Sequence, residues 1–534
     1  MNKYVIGMDF GTLSARAVLL NLCDGKMVNE SVFEYPHGVI TGKLENGFPL
    51  PNDYALADSR DYSEALYSLI RNVSAPIDDK KEIVGIGIAA TSFTMVPCFS
   101  DGTVLCEESR FSYRPMAYIK LWKHHGAESQ AKKIMDINGK TGGLPVLSRY
   151  GYVCNCEWCL PKLLETFETD REVFDSTYRF CDLGEWLSWL LTGSPISSVY
   201  SLGFKAAWAE DIGFPDKGFL DVLGQGFGDG YLKKVAGTPS RFDTPCGYLS
   251  QAAAEKTGLP AGIPIATPVG DGSSPFITFN YSHPNSIAIT IGTSIAMAFL
   301  RKDQKAISGI NGVSDDGFKN SGYYLYDAGQ PCAGDMLDWF VRNQVPERYY
   351  KEAEIRNKNI HSYLSELAAG SSPERSKLTV LDWFNGNRSI LNDASLRGCI
   401  FGLSMDTKPE ELYCAMIQGM ACGTKKILLH FIENGIEFDQ IILCGGIVEK
   451  NPFIRQQYAN ILGREILFSN QDRITARSAG ILAAIASGMD KESAINTLTT
   501  QEFLSIKPDS GSEECYQIIF DRWNYYHDLI GYAK

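Results

Sequence analysis

The chain has 534 residues, 44% hydrophobic and 21% charged, a composition typical of a globular protein long enough for two or three domains. Its formal net charge of −13 argues against nucleic acid or an anionic membrane as a main partner, but leaves room for an anionic ligand at a locally positive site. The 14 cysteines are scattered along the chain, so we expect free thiols. Because no apolar run is long enough to cross a membrane and the first residues do not resemble a signal peptide, we expect a cytoplasmic protein.

The most distinctive local pattern lies at the start of the chain. An apolar run, Tyr4–Met8, ends in Asp9, and a second β-type run, Ala15–Leu20, follows shortly after it. The residues between them include Gly11, Thr12 and Ser14. Two strands joined by such a turn, with a carboxylate ending the first strand, predict a phosphate-binding hairpin. The alternative is an ordinary hairpin whose turn is polar.

The residue types of this hairpin suit phosphate binding. Gly11 lets the backbone approach a ligand closely, and Thr12 and Ser14 offer hydroxyl and N–H donors to phosphate oxygens. Arg16 adds positive charge. Asp9 is placed to hold a hydrated Mg²⁺, which prefers one or two carboxylates together with phosphates and waters. The glycine spacing matches neither GxxxxGK[ST] nor GxGxxG, and a strand follows where both of those motifs need a helix.

The rest of the first half predicts strands and helices in the order of a ribonuclease-H-like fold. Asp24-Gly25 marks a second hairpin turn. The predicted elements are a third strand at Lys26–Tyr35, a helix at about 59–73, a buried strand at Ile83–Ala90, and helices at Pro115–Gly126 and Ser129–Ile137. From about 140 to 260 the pattern is interrupted by aromatic-rich helices such as Asp182–Leu191, which we interpret as an insertion that shapes a substrate pocket.

A second core of the same type is predicted to begin near Ser286. The apolar runs Ser286–Ile291 and Ala296–Leu300 flank the turn Gly292-Thr293-Ser294, which mirrors the first hairpin. Two such loops facing each other across a cleft would clamp a triphosphate. Helices are predicted at about 332–343 and 408–434.

Near the end of the chain a short buried strand, Ile441–Leu443, leads into Gly445-Gly446 and then a helix predicted to start near Asn451. Paired glycines let a flat ring lie against the backbone, and the start of a helix is electropositive. A capped strand-to-helix turn is the plain alternative. A small-residue helix at about 476–487 and an amphipathic tail follow.

Asp271, in PVGDGSSPFITF, is a candidate general base. An aspartate between glycines can end a strand with its carboxylate facing a cleft, and phosphoryl transfer to a hydroxyl needs a base near the attacking oxygen. On this segment alone, a turn or helix-capping role is at least as good an interpretation. Cys154, Cys156 and Cys159 resemble metal ligands, but the sequence nearby supplies no fourth ligand for zinc.

The segment DFGTLSARAV resembles the FGGY carbohydrate kinases of the actin and hexokinase superfamily. Within them the chain is similar to the ribulokinases over nearly its whole length. The segments that carry this similarity are RPMAYIKLWKHH (114–125), SRYG (148–151), CEWCLPKLL (156–164), GFKAAW (203–208) and LDWFNGNRS (381–389).

The resemblance implies an α/β fold with two ribonuclease-H-like domains flanking a catalytic cleft. The implied division is 1–282 for a sugar-binding domain that carries the first hairpin, 283–490 for a nucleotide-binding domain, and 491–534 for a helical extension. It implies ATP and Mg²⁺ as cofactors and a small-molecule sugar as partner, and it leaves the oligomeric state open, a homodimer included.

The resemblance also assigns roles to individual residues. Asp271 would be the catalytic base, and Lys205, Asp327 and the backbone near Ser92 would face the sugar. Gly334 would flank the nucleotide, and the segment containing Gly445, Gly446, Lys450 and Asn451 would bind the adenosine, with Gly292 and Thr293 in the second phosphate loop.

Two positions depart from the ribulokinase pattern. Asp327 stands where a glutamate is usual, and Ala89 stands where an aspartate is usual. Three hypotheses therefore remain: a ketopentose kinase acting on L-ribulose; a kinase of another ketose or polyol such as xylulose, D-ribulose or a deoxy sugar; and a non-catalytic sugar or nucleotide sensor, or an actin-like ATPase without a sugar acceptor. The joint presence of Asp9, Thr12, Asp271 and Gly446 argues against the sensor, which would not need a base.

Overall fold

A computed structural model describes residues 3–203, 206–370, 377–469, 471, 473–499 and 502–533. Its strands are β1 (Tyr4–Phe10), β2 (Ser14–Asn21), β3 (Met27–Glu34), β4 (Leu56–Ala57), β5 (Ile83–Ala90), β6 (Met95–Cys98), β7 (Ile119–Lys120), β8 (Arg179–Asp182), β9 (Pro245–Tyr248), β10 (Pro264–Ala266), β11 (Val269–Gly270), β12 (Ser286–Ile291), β13 (Ile295–Arg301), β14 (Gly312–Asp315), β15 (Tyr324–Gln330), β16 (Thr379–Leu381), β17 (Cys399–Phe401), β18 (Gln440–Cys444), β19 (Ile466–Ser469) and β20 (Phe503–Ile506).

The α-helices are α1 (Ser59–Ser74), α2 (Glu128–Thr141), α3 (Cys159–Thr169), α4 (Arg171–Ser176), α5 (Leu183–Thr192), α6 (Val199–Gly203), α7 (Lys217–Leu223), α8 (Phe227–Val235), α9 (Gln251–Thr257), α10 (Pro275–Phe279), α11 (Gly334–Gln344), α12 (Glu347–Ile355), α13 (Ile360–Ala369), α14 (Pro409–Glu433), α15 (Gly446–Lys450), α16 (Pro452–Leu462), α17 (Ile474–Ala486), α18 (Lys491–Leu498) and α19 (Glu513–Gly531).

Two sheets of the same topology form the two halves of the molecule. The first runs β3-β2-β1-β5-β10-β9, with β11 also paired to β5, and the second runs β14-β15-β13-β12-β18-β19-β20. In each, an antiparallel hairpin (β1/β2 or β12/β13) is followed by parallel pairing of its first strand with a later one (β1/β5 or β12/β18). This repeated order confirms the predicted fold class.

The first sheet packs closely against α17, a helix that comes late in the chain. Its small residues approach the glycines of β1 and β5 so closely that a Cβ on Gly7 would lie 1.9 Å from the carbonyl oxygen of Ala476, and one on Gly87 would lie 2.0 Å from that of Ala479. Only glycine fits such an approach. The GIGI run of β5 therefore encodes a contact between segments almost 400 residues apart in sequence.

One predicted helix is wrong. Pro115–Gly126 forms a single 3₁₀ turn at Pro115–Ala117, then β7, then turns. β7 pairs with both β4 and β6, and the buried Lys120 donates to Glu165 at 2.6 Å. Tertiary pairing thus overrides the local helical pattern, and the helix begins only at Glu128.

The predicted insertion and the predicted C-terminal extension are both partly built into the sheets. β9, within the insertion, is an edge strand of the first sheet, and α5 packs against β5. The extension was predicted to be helical, but besides α18 and α19 it contains β20, which pairs antiparallel with β19 at the edge of the second sheet. The domain boundaries themselves stay a prediction.

Candidate active site

A cleft lies between the two sheets, at the ends of their central strands. It contains a large cavity of about 660 Å³ and a smaller adjoining pocket of about 90 Å³. The residues that line both are Thr12, Asp271, Gly272, Thr293, Ser294 and Ala296. These residues therefore mark the place where the occupants of the two cavities would meet.

The two predicted phosphate hairpins face the large cavity with closely similar turns. Gly11 donates its N–H to the carbonyl of Ser14 at 3.0 Å, and Gly292 donates to the carbonyl of Ser294 at 2.9 Å. The hairpin residues that line this cavity are Asp9, Gly11, Thr12, Ser14, Arg16, Gly292 and Thr293. The two phosphate loops predicted from the sequence thus line the same cavity.

Positive charge gathers around Asp9. The Arg16 guanidinium lies 3.6 Å from its carboxylate, and burial raises the pKa of Asp9 while Arg16 and Arg473 oppose that rise. Arg473, at the start of α17, also lines the cavity and pairs with Glu30 at 2.7 Å. Sequence analysis missed Arg473, because no local motif distinguishes it from a surface arginine.

Three glycines line the large cavity beside the second hairpin. Gly334 donates its N–H to the carbonyl of Gly292 at 3.0 Å, with no room for a Cβ between them. Gly445 has φ +107°, a conformation that L residues rarely adopt. A Cβ on Gly446, by contrast, would meet nothing within 4 Å. The backbone here thus presents an open, flat surface to the cavity.

The helix predicted to start near Asn451 is present as α16, and a short helix that was not predicted, α15, precedes it. α15 begins at Gly446 and ends at Lys450, and Asn451 separates it from α16. Asn451 caps α16 by accepting from the N–H of Phe453, and its amide donates to Ser365 at 2.8 Å. Both Lys450 and Asn451 still line the large cavity, beside Asn359 and Tyr413.

Asp271 follows β11 directly, at the junction of the two cavities. Its own N–H is held by the carbonyl of Ala90 at 2.9 Å, and its carboxylate accepts from the N–H of Gly272 at 2.7 Å and from the backbone of Ser92. Burial and, secondly, the negative charge of Asp9 raise the pKa of Asp271 to about 7. A carboxyl with this pKa can gain or lose a proton near neutral pH.

The small pocket contains a chain of hydrogen-bonded polar side chains. The Ser92 hydroxyl contacts the Tyr200 hydroxyl at 3.1 Å, and Tyr200 in turn donates to Ser273 at 3.3 Å. The buried Asp327 accepts from Ser273 and from the amide of Asn311. Ser92, Asp271 and Asp327 are thus brought to one pocket, as expected. Lys205 lies outside the described residues.

Several pocket residues were not identified from the sequence. They are Phe93, Trp122, Glu157, Tyr200, Asn311 and Arg388. Trp122 donates its indole N–H to the Thr12 hydroxyl at 3.1 Å, and Glu157 pairs with Arg388 at 3.1 Å. Glu157 and Arg388 lie within segments that carry the family resemblance, and this location was the signal that could have identified them as pocket residues.

Ala89 lines neither of the two cavities. It is fully buried in a cluster with Ala476 and Ala479, and in the sheet it stands beside Asp9. The departure at position 89 therefore affects the packing under the first hairpin, and only the departure at Asp327 lies in the pocket wall.

The fold and the paired hairpins define a class of protein: two ribonuclease-H-like halves of the actin and hexokinase type around a cleft. The solved structures that share it include a gluconate kinase from Lactobacillus acidophilus (TM-score 0.78, 20% identity, covering 100% of this chain and 99% of that one) and a ligand-bound xylulose kinase from the same organism (TM-score 0.78, 20% identity, 99% of each chain).

Sequence comparison gives the family. Residues 287–487 match the FGGY family of carbohydrate kinases, C-terminal domain. A ribulokinase from Anoxybacillus flavithermus is 33% identical over 538 residues, covering 99% of this chain and 95% of the relative, and ribulokinase 2 from Staphylococcus saprophyticus is 35% identical over 536 residues, covering 99% and 98%. The chain belongs to the FGGY family and is a carbohydrate kinase. Within the described residues, no helix is long and apolar enough to span a membrane.

Proposed function

We propose that this protein transfers the γ-phosphoryl group of ATP to a hydroxyl of a ketopentose, with L-ribulose as the substrate and L-ribulose 5-phosphate as the product. The observation that carries the proposal is the position of Asp271, which lines both the small polar pocket and the large cavity of the phosphate hairpins. The full-length similarity to proteins named ribulokinase supports the choice of sugar.

ATP fits the large cavity by the chemistry of its walls. The two hairpins, with Gly11, Thr12, Gly292 and Thr293, would bind the phosphates through N–H and hydroxyl donors. The adenosine would lie beside the second hairpin, against Gly334, Gly445 and Gly446. Lys450 and Asn451 line the same cavity and would also contact it. Magnesium ions prefer oxygen ligands, so Asp9 would hold Mg²⁺ through water and thereby neutralise phosphate charge.

The sugar would lie in the small pocket with its terminal hydroxyl at Asp271. The Asp271 carboxylate accepts the hydroxyl proton as the sugar oxygen forms its bond to the γ-phosphorus, and ADP leaves with the electrons of the broken P–O bond. Asp327, Ser92 and Lys205 would bond the other sugar oxygens. Ionised Asp271 is the active form, so its raised pKa places its change of state close to neutral pH.

A second candidate is phosphorylation of a different ketose or polyol by the same site. Asp327 favours it, because a carboxylate one methylene shorter than the usual glutamate changes the reach to a sugar hydroxyl. The proposal is tested by measuring ADP release with MgATP across pentuloses, hexuloses and polyols. We expect the highest kcat/KM with L-ribulose. A higher value with xylulose or D-ribulose would support the second candidate, and no release with any sugar would contradict both.

A further inference from the structure

We propose that Arg388 is a specificity-determining residue of the sugar pocket, carried into it by the second half of the chain, and that its guanidinium donates a hydrogen bond to one hydroxyl of the bound sugar. The inference rests on the proposed function, because it takes a polyhydroxylated sugar as the occupant of this pocket.

Arg388 meets two residues of the first half inside the pocket. Its Nη2 lies 3.1 Å from the Glu157 carboxylate, and its Cζ lies 5.1 Å from the centre of the Trp122 ring. The side chains of Arg388 and Glu157 are only 12% and 4% exposed. A planar guanidinium suits both partners, since it pairs with a carboxylate and stacks on an aromatic face.

The Nε of Arg388 is buried and has no hydrogen-bond partner within the described part of the chain. A buried donor without a partner is unfavourable, so a ligand or a water that accepts a hydrogen bond from it would be stabilising. The same pocket is lined by the polar side chains of Asn311 and Asp327. A sugar hydroxyl oxygen is an acceptor that fits this surrounding.

The loop that presents Arg388 is tightly held and strained. Ile390 has φ +83°, which is rare for a β-branched residue, and its N–H donates to the carbonyl of Gly309 at 2.6 Å. The hydroxyl of Ser389 accepts from the N–H of Gly329 at 2.8 Å. Strain that the surrounding structure sustains is concentrated at functional positions, and here it lies two residues from Arg388.

This placement makes the sugar pocket a product of both halves. Arg388 follows β16 in the second half of the chain, whereas Glu157 and Trp122 belong to the first half. A second ion pair, Lys123 with Asp335 at 3.3 Å, crosses the same cleft. Sugar recognition through Arg388 would therefore depend on both halves of the chain.

The test compares Arg388→Met, Arg388→Lys and the control Arg397→Met on the preferred sugar and its monodeoxy analogues. Arg397 is exposed, and among the described residues its side chain donates to two carbonyls of its own loop, those of Ala394 and Leu396. We expect Arg388→Met to lower kcat/KM for the full sugar about 10- to 100-fold, as for loss of a hydrogen bond from a charged group. The KM for ATP should stay within about twofold, and the control should match the parent.

The analogues separate specificity from general damage. One monodeoxy analogue should be poor with the parent, yet lose little further with Arg388→Met, because the hydroxyl and its donor act as a pair. Equal losses for every analogue, or a parental sugar profile in Arg388→Met, would overturn the inference while leaving the kinase assignment intact. A parent inactive on every sugar would instead overturn the proposed function. If Arg388→Met does not fold, Arg388→Lys, which keeps the charge, should show a smaller loss confined to the same analogue.

Discussion

At the scale of single residues, the central group is Asp271, whose carboxylate lies where the two cavities meet and has its pKa raised to about 7 by burial and by Asp9. Asp271→Asn keeps the shape but removes the base. We expect kcat to fall at least about 100-fold, since general bases contribute about 10²–10⁴ in rate. ATP binding, measured by thermal stabilisation, should barely change.

The pH dependence gives the same prediction a second readout. A base works only when ionised, so the parental kcat/KM for sugar should rise with pH through about 7 and then level off. The residual activity of Asp271→Asn should lack this limb. Asp175→Asn, at an exposed position on α4, serves as the control and should behave as the parent. If the kcat of Asp271→Asn stays within a few-fold of the parental value, Asp271 is a turn residue and not the general base.

Asp327 is the residue at which we expect the choice of sugar to be altered most directly. Its carboxylate is held by Ser273 and Asn311, so one added methylene in Asp327→Glu must displace those partners or reach further into the pocket. We expect the order of kcat/KM among ketopentoses to change while the KM for ATP stays nearly constant, and Asp327→Ala to weaken every sugar. An unchanged order and efficiency in both variants would show that Asp327 does not touch the substrate.

At the scale of elements, the β18–α15 turn should bind the nucleotide and not the sugar. A Cβ on Gly446 meets nothing in the protein, so Gly446→Leu should fold normally but place its side chain in the large cavity. We expect the KM for ATP to rise at least about tenfold with the KM for sugar within about twofold, because an added side chain excludes a ring from the surface. Steady-state kinetics with each substrate varied in turn is the measurement.

The matched control for this element is Gly139→Leu on α2. Gly139 is exposed, and a Cβ added to it would meet no described atom within 4 Å. It lines neither of the two cavities. This variant should keep parental kinetics. A parental KM for ATP in Gly446→Leu would place the adenosine elsewhere.

The same scale shows what sequence could and could not give. The turn at Gly11 and the turn at Gly292 were predictable, because strand, glycine and hydroxyl residues follow one another within a few positions. The 115–126 segment was not, because β7 exists only through pairing with β4 and β6. Glu157 and Arg388 meet across 231 residues of chain, and no local pattern marks one charged residue as the partner of another.

At the scale of the whole molecule, α17 links the two halves. It follows β19 of the second sheet in the chain, yet it packs on the first sheet at Gly7 and Gly87. The pairs Lys123–Asp335 and Glu157–Arg388 also join the two halves across the cleft. Closure of the cleft over a bound sugar would therefore exclude water from Asp271 and make the sugar the acceptor of the phosphoryl group.

The measurement that tests the central claim most directly is ADP release by the purified protein with MgATP, in the presence and absence of L-ribulose, with the product followed by ³¹P NMR. We expect rapid release only with sugar, one sugar 5-phosphate formed per ADP, and a release without sugar that is at least about 100-fold slower. Equal release with and without L-ribulose, or with inorganic phosphate as the product, would contradict the claim that this site phosphorylates a ketopentose.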